Sequence, residues 1–276
     1  MVDFLTVFSG APPASRTSGQ YAWRFDLDKR FNGAFGGTNG GVLSAISVYA
    51  ARRQSGRRPT SIDSRYIRGF RPGTAKVVVR PVNEGRTLTV LDVDVVDAED
   101  RVCTHSVVTL VEQDALAGDV QYNDHLVAPD DLAAWADGKP WPRPKAPMEI
   151  PLIETFEPTA LGGRGQTTVT GTRVVWRETG TTAEAACIAA DISVGPPVAR
   201  AVRGAASTPN PDLSLRFCGS SEPGDFLAAS CTLRTIDAGL ASTSIEVWND
   251  ADLLAVGVST TTCLPVPAAT AGSSRR

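Results

Sequence analysis

A segment near the beginning of the chain reads Thr38-Asn39-Gly40-Gly41-Val42-Leu43-Ser44-Ala45-Ile46-Ser47-Val48-Tyr49-Ala50-Ala51. Its apolar residues fall at helical spacing and also fill the other faces, which is typical of a helix buried around its whole circumference. A helix of about 14 residues is only about 21 Å long, too short to cross a bilayer. We therefore predict a core helix surrounded by the strands that follow. Asn39 is expected to cap it, and Gly40 and Gly41 would admit a close neighbour at its N-terminus.

The composition is ordinary for a globular protein: 276 residues, 42% hydrophobic and 21% charged, which fits one large domain or two of moderate size. A net charge of -3 and the lack of a long basic run argue against a nucleic-acid partner. Five scattered cysteines without a CxxC motif predict free thiols in a reducing cytoplasm, and no secretory signal is apparent. Two histidines, His105 and His125, argue against a Ser-His-Asp hydrolase or a histidine-rich metal site. We predict no metal, no cofactor and no membrane span, and we interpret His105 as structural.

Strand-like runs follow the first helix and are separated by short turns, which predicts antiparallel neighbours. These runs are Ser61–Ile67, Thr74–Val82, Thr87–Val96 and Arg101–Glu112. The apolar phase changes between Val90 and Leu91, which predicts a β-bulge that bends the sheet.

The second half of the chain repeats this order of elements. A strand at Thr168–Arg177 precedes an apolar helix at Ala183–Ile192. A capping box at Thr181–Glu184 is expected to begin this helix, and Pro196-Pro197 is expected to stop it. Four strands follow, at Asp212–Cys218, Phe226–Arg234, Ser242–Trp248 and Leu253–Thr262. Two copies of one helix-plus-sheet unit are therefore predicted. The predicted boundaries are 1–115 for the first unit, 116–147 for a Pro- and Trp-rich connector, 148–265 for the second unit and 266–276 for a disordered tail.

Three motifs resemble the acyl-CoA thioesterase II family. They are Gly40-Gly41-Val42-Leu43 at the helix start, Tyr66-Ile67-Arg68-Gly69-Phe70-Arg71-Pro72-Gly73 after it, and Glu84-Gly85-Arg86-Thr87 at the next turn. The resemblance runs from about Trp23 to about Leu264. It implies an α+β double hotdog fold, in which two curved antiparallel sheets are each wrapped around a central helix.

The same resemblance implies where a catalytic site would lie. An Asp on the second hotdog helix corresponds to Asp191, and a Thr or Ser ahead of the next strand falls near Asn210. A Gln near the end of the last strand falls on Ser259 or Thr260, where this sequence has no Gln. In a thioesterase, Asp191 would deprotonate or orient a water that attacks the thioester, and Asn210 would hold that water. The expected position of Asp191 near a helix C-terminus and its burial would both disfavour its ionised form.

The substrate would be acyl-CoA or an acyl group on a carrier protein. Backbone N–H groups at Gly40 and Gly41 are candidates for stabilising the oxyanion. Arg68 and Arg71 belong to an arginine-rich region that could recognise phosphate, although a solvated basic rim explains that region equally well.

Two other functions remain open from the sequence. The scaffold could support a dehydratase, hydratase or cyclase-like enzyme, with Asp191 acting as a base next to a carbonyl. It could also bind an acyl chain without turning it over, since the family Gln is absent. Pairing of two chains through sheet edges is an expectation in either case.

Overall fold

The computed structural model describes residues 16–17, 20–118, 138–143, 149–174, 182–203, 205–218, 226–249 and 252–266. The α-helices are α1 (Gly40–Ser55), α2 (Leu152–Phe156) and α3 (Thr182–Val202). The strands of the first half are β1 (Arg16–Thr17), β2 (Gln20–Leu27), β3 (Arg58–Tyr66), β4 (Gly73–Glu84), β5 (Leu88–Val96) and β6 (Val102–Val111). The remaining strands are β7 (Lys139–Pro140), β8 (Thr159–Gly162), β9 (Thr167–Arg173), β10 (Ala206–Ser207), β11 (Asp212–Phe217), β12 (Phe226–Asp237), β13 (Leu240–Asn249), β14 (Asp252–Thr262) and β15 (Leu264–Pro265).

Helix α1 confirms the prediction of a capped and fully buried core helix. The Asn39 side chain accepts a hydrogen bond from the Val42 N–H at its start. Gly56, in the left-handed conformation at φ 69°, ends it by donating to the Arg52 carbonyl. Every residue from Gly41 to Ala51 is buried, so the helix is enclosed on all sides.

Helix α3 is longer than predicted, because it does not stop at Pro196-Pro197 but continues to Val202. Two prolines remove two backbone donors from the helix. The burial of Val194 and Val198 on either side of them anchors this part of the helix in the interior. Asp191 consequently lies in the middle of α3, and the predicted contribution of a helix C-terminus to its ionisation does not apply.

Thirteen of the fifteen strands form one continuous antiparallel sheet, in the order β1-β2-β4-β5-β6-β3-β11-β14-β13-β12-β9-β8-β7, and β10 pairs separately with β15. This differs from the prediction of two sheets, because β3 and β11 pair with each other and join the halves. Ion pairs reinforce the junction: Arg216 lies 3.1 Å from Asp63, and Arg65 lies 3.8 Å from Asp212. Both core helices pack on one face of this sheet and share one hydrophobic core.

The predicted bulge is present at the expected register, but its extra residue is in the neighbouring strand. Pro81 pairs with Leu91 and Asn83 with Val90, so Val82 of β4 is the unpaired residue. From Thr89 to Val93 the side chains of β5 keep their alternation, with Thr89, Leu91 and Val93 buried and Val90 and Asp92 half-buried. The apparent phase change in the sequence therefore reflected apolar residues on the outer face rather than a displaced strand.

The structure adds strands at both edges that the sequence patterns did not predict. Strand β2 places Trp23, Phe25 and Leu27 in the core of the first half. Strand β7, inside the predicted connector, pairs with β8 of the second half, and Trp141 packs partly buried against the core. The unit boundaries stay predictions. Several predicted features lie outside the described residues: most of the connector with Trp135 and His125, the turns around 222–224 and 250–251, Thr181 of the capping box, and the tail from 267 onward.

Candidate active site

The two core helices meet where the Gly-Gly pair begins α1. A methyl group at Gly41 would lie 2.6 Å from the Cys187 carbonyl oxygen and 2.9 Å from the Ile188 Cα, both on α3. Only glycine permits this approach, because real Cβ contacts below 3.0 Å essentially do not occur. The contact brings the N-terminus of α1 against the middle of α3, where Asp191 is located.

The Asp191 carboxylate is held by donors from both halves of the chain. Asn210 Nδ2 donates to Asp191 Oδ1 at 2.7 Å, and Asn39 Nδ2 donates to Asp191 Oδ2 at 2.6 Å. The Asn39 amide is oriented by its own capping bond, in which its Oδ1 accepts from the Val42 N–H at 3.3 Å. Gly41 packs against the Asp191 side chain, and the Tyr66 hydroxyl belongs to the same cavity wall, so both polar groups favour the ionised carboxylate.

Burial dominates the protonation behaviour of this carboxyl group. Removal from water raises the pKa of Asp191, and the hydrogen bonds from Asn210, Gly41, Tyr66 and Asn39 offset part of that rise. Asp191 is only 7% exposed. A carboxylate with a raised pKa is a stronger proton acceptor than an ordinary surface Asp, which suits general-base chemistry near neutral pH.

Asp191 forms part of the wall of a cavity of about 680 Å³. The polar part of the lining includes Asn39, Tyr66 and Asn210 beside Asp191, while Arg68 supplies a cation. The larger apolar residues of the lining are Phe35, Leu43, Phe70, Trp141, Ile150, Leu152, Ile192 and Val194. A mostly apolar cavity with a few convergent polar groups is the usual form of a small-molecule site.

The structure brings some of the predicted site residues together and leaves others apart. Asp191, Asn210, Gly40 and Arg68 line the cavity, and Gly41 reaches Asp191 through its backbone. Ser259 and Thr260 are not part of the described lining. The Ser259 hydroxyl donates to the Asp212 carbonyl at 2.7 Å, and the Thr260 N–H donates to the Asp212 carboxylate at 2.7 Å. Arg71 is exposed and also lies outside the described lining.

Most other arginines of the predicted basic region have structural partners. Arg52 lies 2.8 Å from Glu184, Arg57 lies 3.3 Å from Glu112, and Arg65 pairs with Asp212. Arg68 is therefore the member of that region that the geometry associates with the cavity.

Two residues of the site were not predicted for it, namely Asn39 and Tyr66. Asn39 was predicted only as a helix cap, and its second role depends on a contact 152 positions away in sequence. The Gly-Gly pair was the available signal, since it predicted a close neighbour at this helix end. Nothing in the local sequence indicates that Tyr66 faces Asp191.

His105 lies on the outer face of the sheet, where its Nδ1 is 2.8 Å from Asp94 Oδ1. Arg80 contacts the other oxygen of Asp94. Within the part of the chain that the structure describes, no group of three or more His, Cys, Asp or Glu side chains is arranged to hold a metal ion.

Residues 28–111 match the family model described as the acyl-CoA thioesterase N-terminal domain. The fold is that of several solved proteins. Acyl-CoA thioesterase II TesB2 of Mycobacterium marinum has a TM-score of 0.69 at 12% identity, covering 96% of this chain and 99% of that one. The tesB protein of Mycobacterium avium subsp. paratuberculosis has a TM-score of 0.69 at 17% identity, covering 95% and 98%. A protein of unknown function with a hot dog fold from Alicyclobacillus acidocaldarius has a TM-score of 0.68 at 18% identity, covering 95% and 98%. No curated protein matches the chain by sequence.

Proposed function

We propose that this chain, an acyl-CoA thioesterase II-like hydrolase with a hotdog fold, cleaves acyl-CoA thioesters with a water activated by Asp191. The observation that carries the proposal is the position of Asp191, buried in the wall of an apolar cavity and hydrogen-bonded to both Asn39 and Asn210. The match of residues 28–111 supports the substrate class. We also infer that the two helix-plus-sheet halves correspond to a double hotdog whose sheets have joined at β3 and β11.

The reaction requires one proton acceptor and one place for the negative charge on oxygen. Asp191 accepts a proton from water as the water oxygen attacks the thioester carbonyl carbon, which gives a tetrahedral intermediate. The C–S bond then breaks, the carbonyl reforms as a carboxylic acid, and the thiolate leaves. The proton on Asp191 passes to the thiolate and regenerates the carboxylate, so that protons and electrons balance.

Gly40 is the candidate donor to the oxyanion. Among the first N–H groups of α1, that of Val42 bonds to Asn39, and that of Gly41 lies at the contact with Asp191 and favours its ionised form. Gly40 lines the cavity, and its N–H is at the helix N-terminus, where partial positive charge stabilises anions. An oxyanion bound there would lie close to the general base.

The apolar lining is suited to the acyl chain, and Arg68 is suited to the phosphate of the phosphopantetheine arm. An acyl group on a carrier protein presents the same arm, so acyl thioesters on either coenzyme A or a carrier protein are substrates under this proposal.

We place the protein in the cytoplasm, consistent with its five free cysteines. By length and composition α3 could cross a membrane, but 67% of the relevant window is buried inside the protein, as expected of a core helix. We further propose that the chain self-associates.

The test is free-thiol release from a panel of acyl-CoAs of short to long chain, with the intact protein compared with Asp191→Ala. We expect thiol release from the intact protein and its loss in the variant. Loss of a general base typically costs about 100-fold or more. Asp63→Asn is the control, because it removes a carboxylate on the outer face of the sheet while leaving the cavity unchanged.

Circular dichroism establishes whether each variant keeps its fold. Thiol release that is equal in the intact protein and in folded Asp191→Ala would contradict the assignment of the base. If the intact protein releases no thiol from any acyl-CoA but binds them, the acyl-binding alternative is favoured instead.

A further inference from the structure

Helix α3 carries two prolines in its interior, and these remove hydrogen-bond donors from the part of the helix beside the candidate base. In an α-helix, the carbonyl of residue i accepts from the N–H of residue i+4. Pro196 has no N–H, so the Ile192 carbonyl loses its regular partner. Pro197 has the same effect on the Ser193 carbonyl. These two carbonyls belong to the residues that directly follow Asp191 in the sequence.

The two carbonyls differ in whether the helix can offer them another donor. A carbonyl without its i+4 donor can accept from residue i+5, as in a π-bulge. For Ser193 that residue is Val198, which has an N–H, but for Ile192 it is Pro197. The N–H at i+3 from Ile192, that of Gly195, serves the preceding carbonyl in the regular ladder. An unpaired backbone carbonyl shielded from water is costly, so the Ile192 carbonyl requires a partner from outside the helix.

The Ile192 carbonyl opens onto the cavity. A helical carbonyl points towards the C-terminus, into the groove between the side chains at i+3, i+4 and i+7. The residues at these positions are Gly195, Pro196 and Ala199, which all line the cavity. Ile192 itself is also part of the lining. A Cβ at Gly195 would have no atom within 4 Å, so a ligand in the cavity can reach this carbonyl without displacing a side chain.

The Ser193 carbonyl enters a different groove of α3, between Pro196, Pro197 and Arg200. Pro197 is buried, and Arg200 crosses to β9, where its Nη1 is 3.3 Å from the Thr167 carbonyl oxygen. Neither Ser193 nor Pro197 is part of the described lining. The adjacent prolines therefore form a matched pair, in which Pro196 frees an acceptor at the cavity and Pro197 frees one elsewhere.

Acyl thioesters can carry a donor on either side of the reacting carbonyl. The phosphopantetheine arm has an amide N–H that an ethylene group separates from the sulfur. A 3-hydroxyacyl chain has an O–H on its β-carbon. An unsubstituted acyl chain has no donor, and it would bury the Ile192 carbonyl without a partner. Because Ile192 is adjacent to Asp191, a donor bound to its carbonyl would lie near the thioester.

We propose that Pro196 keeps the Ile192 carbonyl free to accept a hydrogen bond from an N–H or O–H group of the substrate beside the thioester. The Ile192 carbonyl is then a binding group of the site, and Pro196 is a positioning residue that acts through it. The inference rests on the proposed function for the class of substrate, but the acceptor itself can be tested by binding alone.

The experiment compares Pro196→Ala with Pro197→Ala, because each variant returns one N–H to the helix and only the first occupies the acceptor at the cavity. In Pro196→Ala, the KM for a substrate that carries the donor should rise about fivefold, the loss expected for one neutral hydrogen bond. Its kcat should stay within about twofold, since the bond is made equally in the ground state and the transition state. Pro197→Ala should keep both constants, and circular dichroism checks the fold of each variant.

Two pairs of substrates distinguish the source of the donor. S-Butanoyl-N-acetylcysteamine carries the amide of the arm, and S-butanoyl-2-acetoxyethanethiol has an ester oxygen in place of that N–H. 3-Hydroxybutanoyl-CoA adds the acyl-chain donor to butanoyl-CoA. The intact protein should prefer the donor-bearing member of one pair about fivefold in kcat/KM, and Pro196→Ala should abolish that preference while Pro197→Ala keeps it. A preference that survives in Pro196→Ala, no preference in either pair, or an equal rise of KM in both proline variants would overturn the proposal.

Binding to Asp191→Asn, measured by isothermal titration calorimetry, separates this inference from the proposed reaction. The same substrates are used, and Kd takes the place of KM. If the intact protein releases no thiol but the Kd values show the preference and its loss on adding Pro196→Ala, the acceptor is supported and the hydrolysis is rejected. Thiol release that requires Asp191 but is unaffected by Pro196→Ala for all four substrates would reject the acceptor and support the hydrolysis.

Discussion

Replacing Gly41 by alanine should damage both the stability and the activity of the protein, because its Cβ has no room against α3. The new methyl group would lie 2.6 Å from the Cys187 carbonyl oxygen and 2.7 Å from the Asp191 Cβ. Ordinary contact begins at 3.4 Å, so α1 and α3 must separate by about 0.8 Å, the difference between 3.4 and 2.6 Å. The neighbouring atoms belong mostly to the backbone of a helix packed in the core, and they cannot rotate away.

The cost follows from the size of this displacement. Overpacking of a core costs about 1–3 kcal/mol, and the better helix propensity of alanine returns less than about 1 kcal/mol at a helix end. A net loss of about 1–2 kcal/mol corresponds to a fall in Tm of about 2–8 °C for a chain of this size. The same separation moves Asp191 away from Asn39 and Gly40, and a misplacement of about 1 Å can cost about 100-fold in rate.

Thermal unfolding followed by circular dichroism gives the change in Tm, and thiol release gives kcat/KM. Gly195→Ala is the matched control for Tm alone, since Gly195 is in α3 and a methyl group there meets nothing within 4 Å, whereas its place in the cavity lining excludes it as a control for kcat/KM. Its Tm should change less than that of Gly41→Ala, because the gain in helix propensity is opposed only by the restriction that Pro196 places on the residue before it. A Gly41→Ala variant with unchanged Tm and unchanged kcat/KM would refute the reasoning. A lower Tm with full activity would show that the close helix contact does not align the base.

Three further outcomes are expected. Burial raises the pKa of Asp191 above its value in the unfolded chain. The protonated Asp191 side chain therefore contributes stability below about pH 4, and this contribution is lost as the pH rises through the folded pKa. Urea unfolding at a series of pH values should show the wild type losing stability relative to Asp191→Ala over this rise in pH. Arg52→Met should cost about 3–5 kcal/mol, measured by the same method, because it removes a cation 2.8 Å from the completely buried Glu184 side chain. Adding Glu184→Gln should recover part of the loss. Ser259→Ala should keep thiol release and lose about 1 kcal/mol with its hydrogen bond to Asp212; a loss of activity without a loss of stability would return Ser259 to the site.

Much of the fold could be predicted because its signals are local. The all-apolar helix, its Asn39 cap and the turns between strands each depend on residues adjacent in sequence, and most predicted strands agree with the structure within about three residues. The errors arose where tertiary contacts override local rules. Pro196-Pro197 would end an isolated helix, but the buried residues around them keep α3 intact. The pairing of β3 with β11 depends on chain segments about 150 residues apart and leaves no local signal.

The site was predictable to a smaller extent. Asp191 is the carboxylate deep in an apolar helix, away from Glu184 in the first turn, so it could be selected from the sequence, and Asn210 followed from the family resemblance. The roles of these residues in hydrolysis remain proposals. Asn39 and Tyr66 could not be found in this way, because their proximity to Asp191 arises only when α1 and β3 pack against α3. Ser259 occupies the position predicted from the family pattern, but its hydroxyl bonds to the Asp212 carbonyl.

The pairing of β3 with β11 also determines what would happen if the gene were divided within the connector. Each fragment would carry one unpaired strand edge at the former junction, and exposed edges of this kind promote association. Neither fragment would hold a complete site, because Asn39 and Tyr66 come from one and Asp191 and Asn210 from the other. The protein is therefore suited to fragment complementation, in which two separately produced pieces regain a shared cavity only by restoring the original strand register.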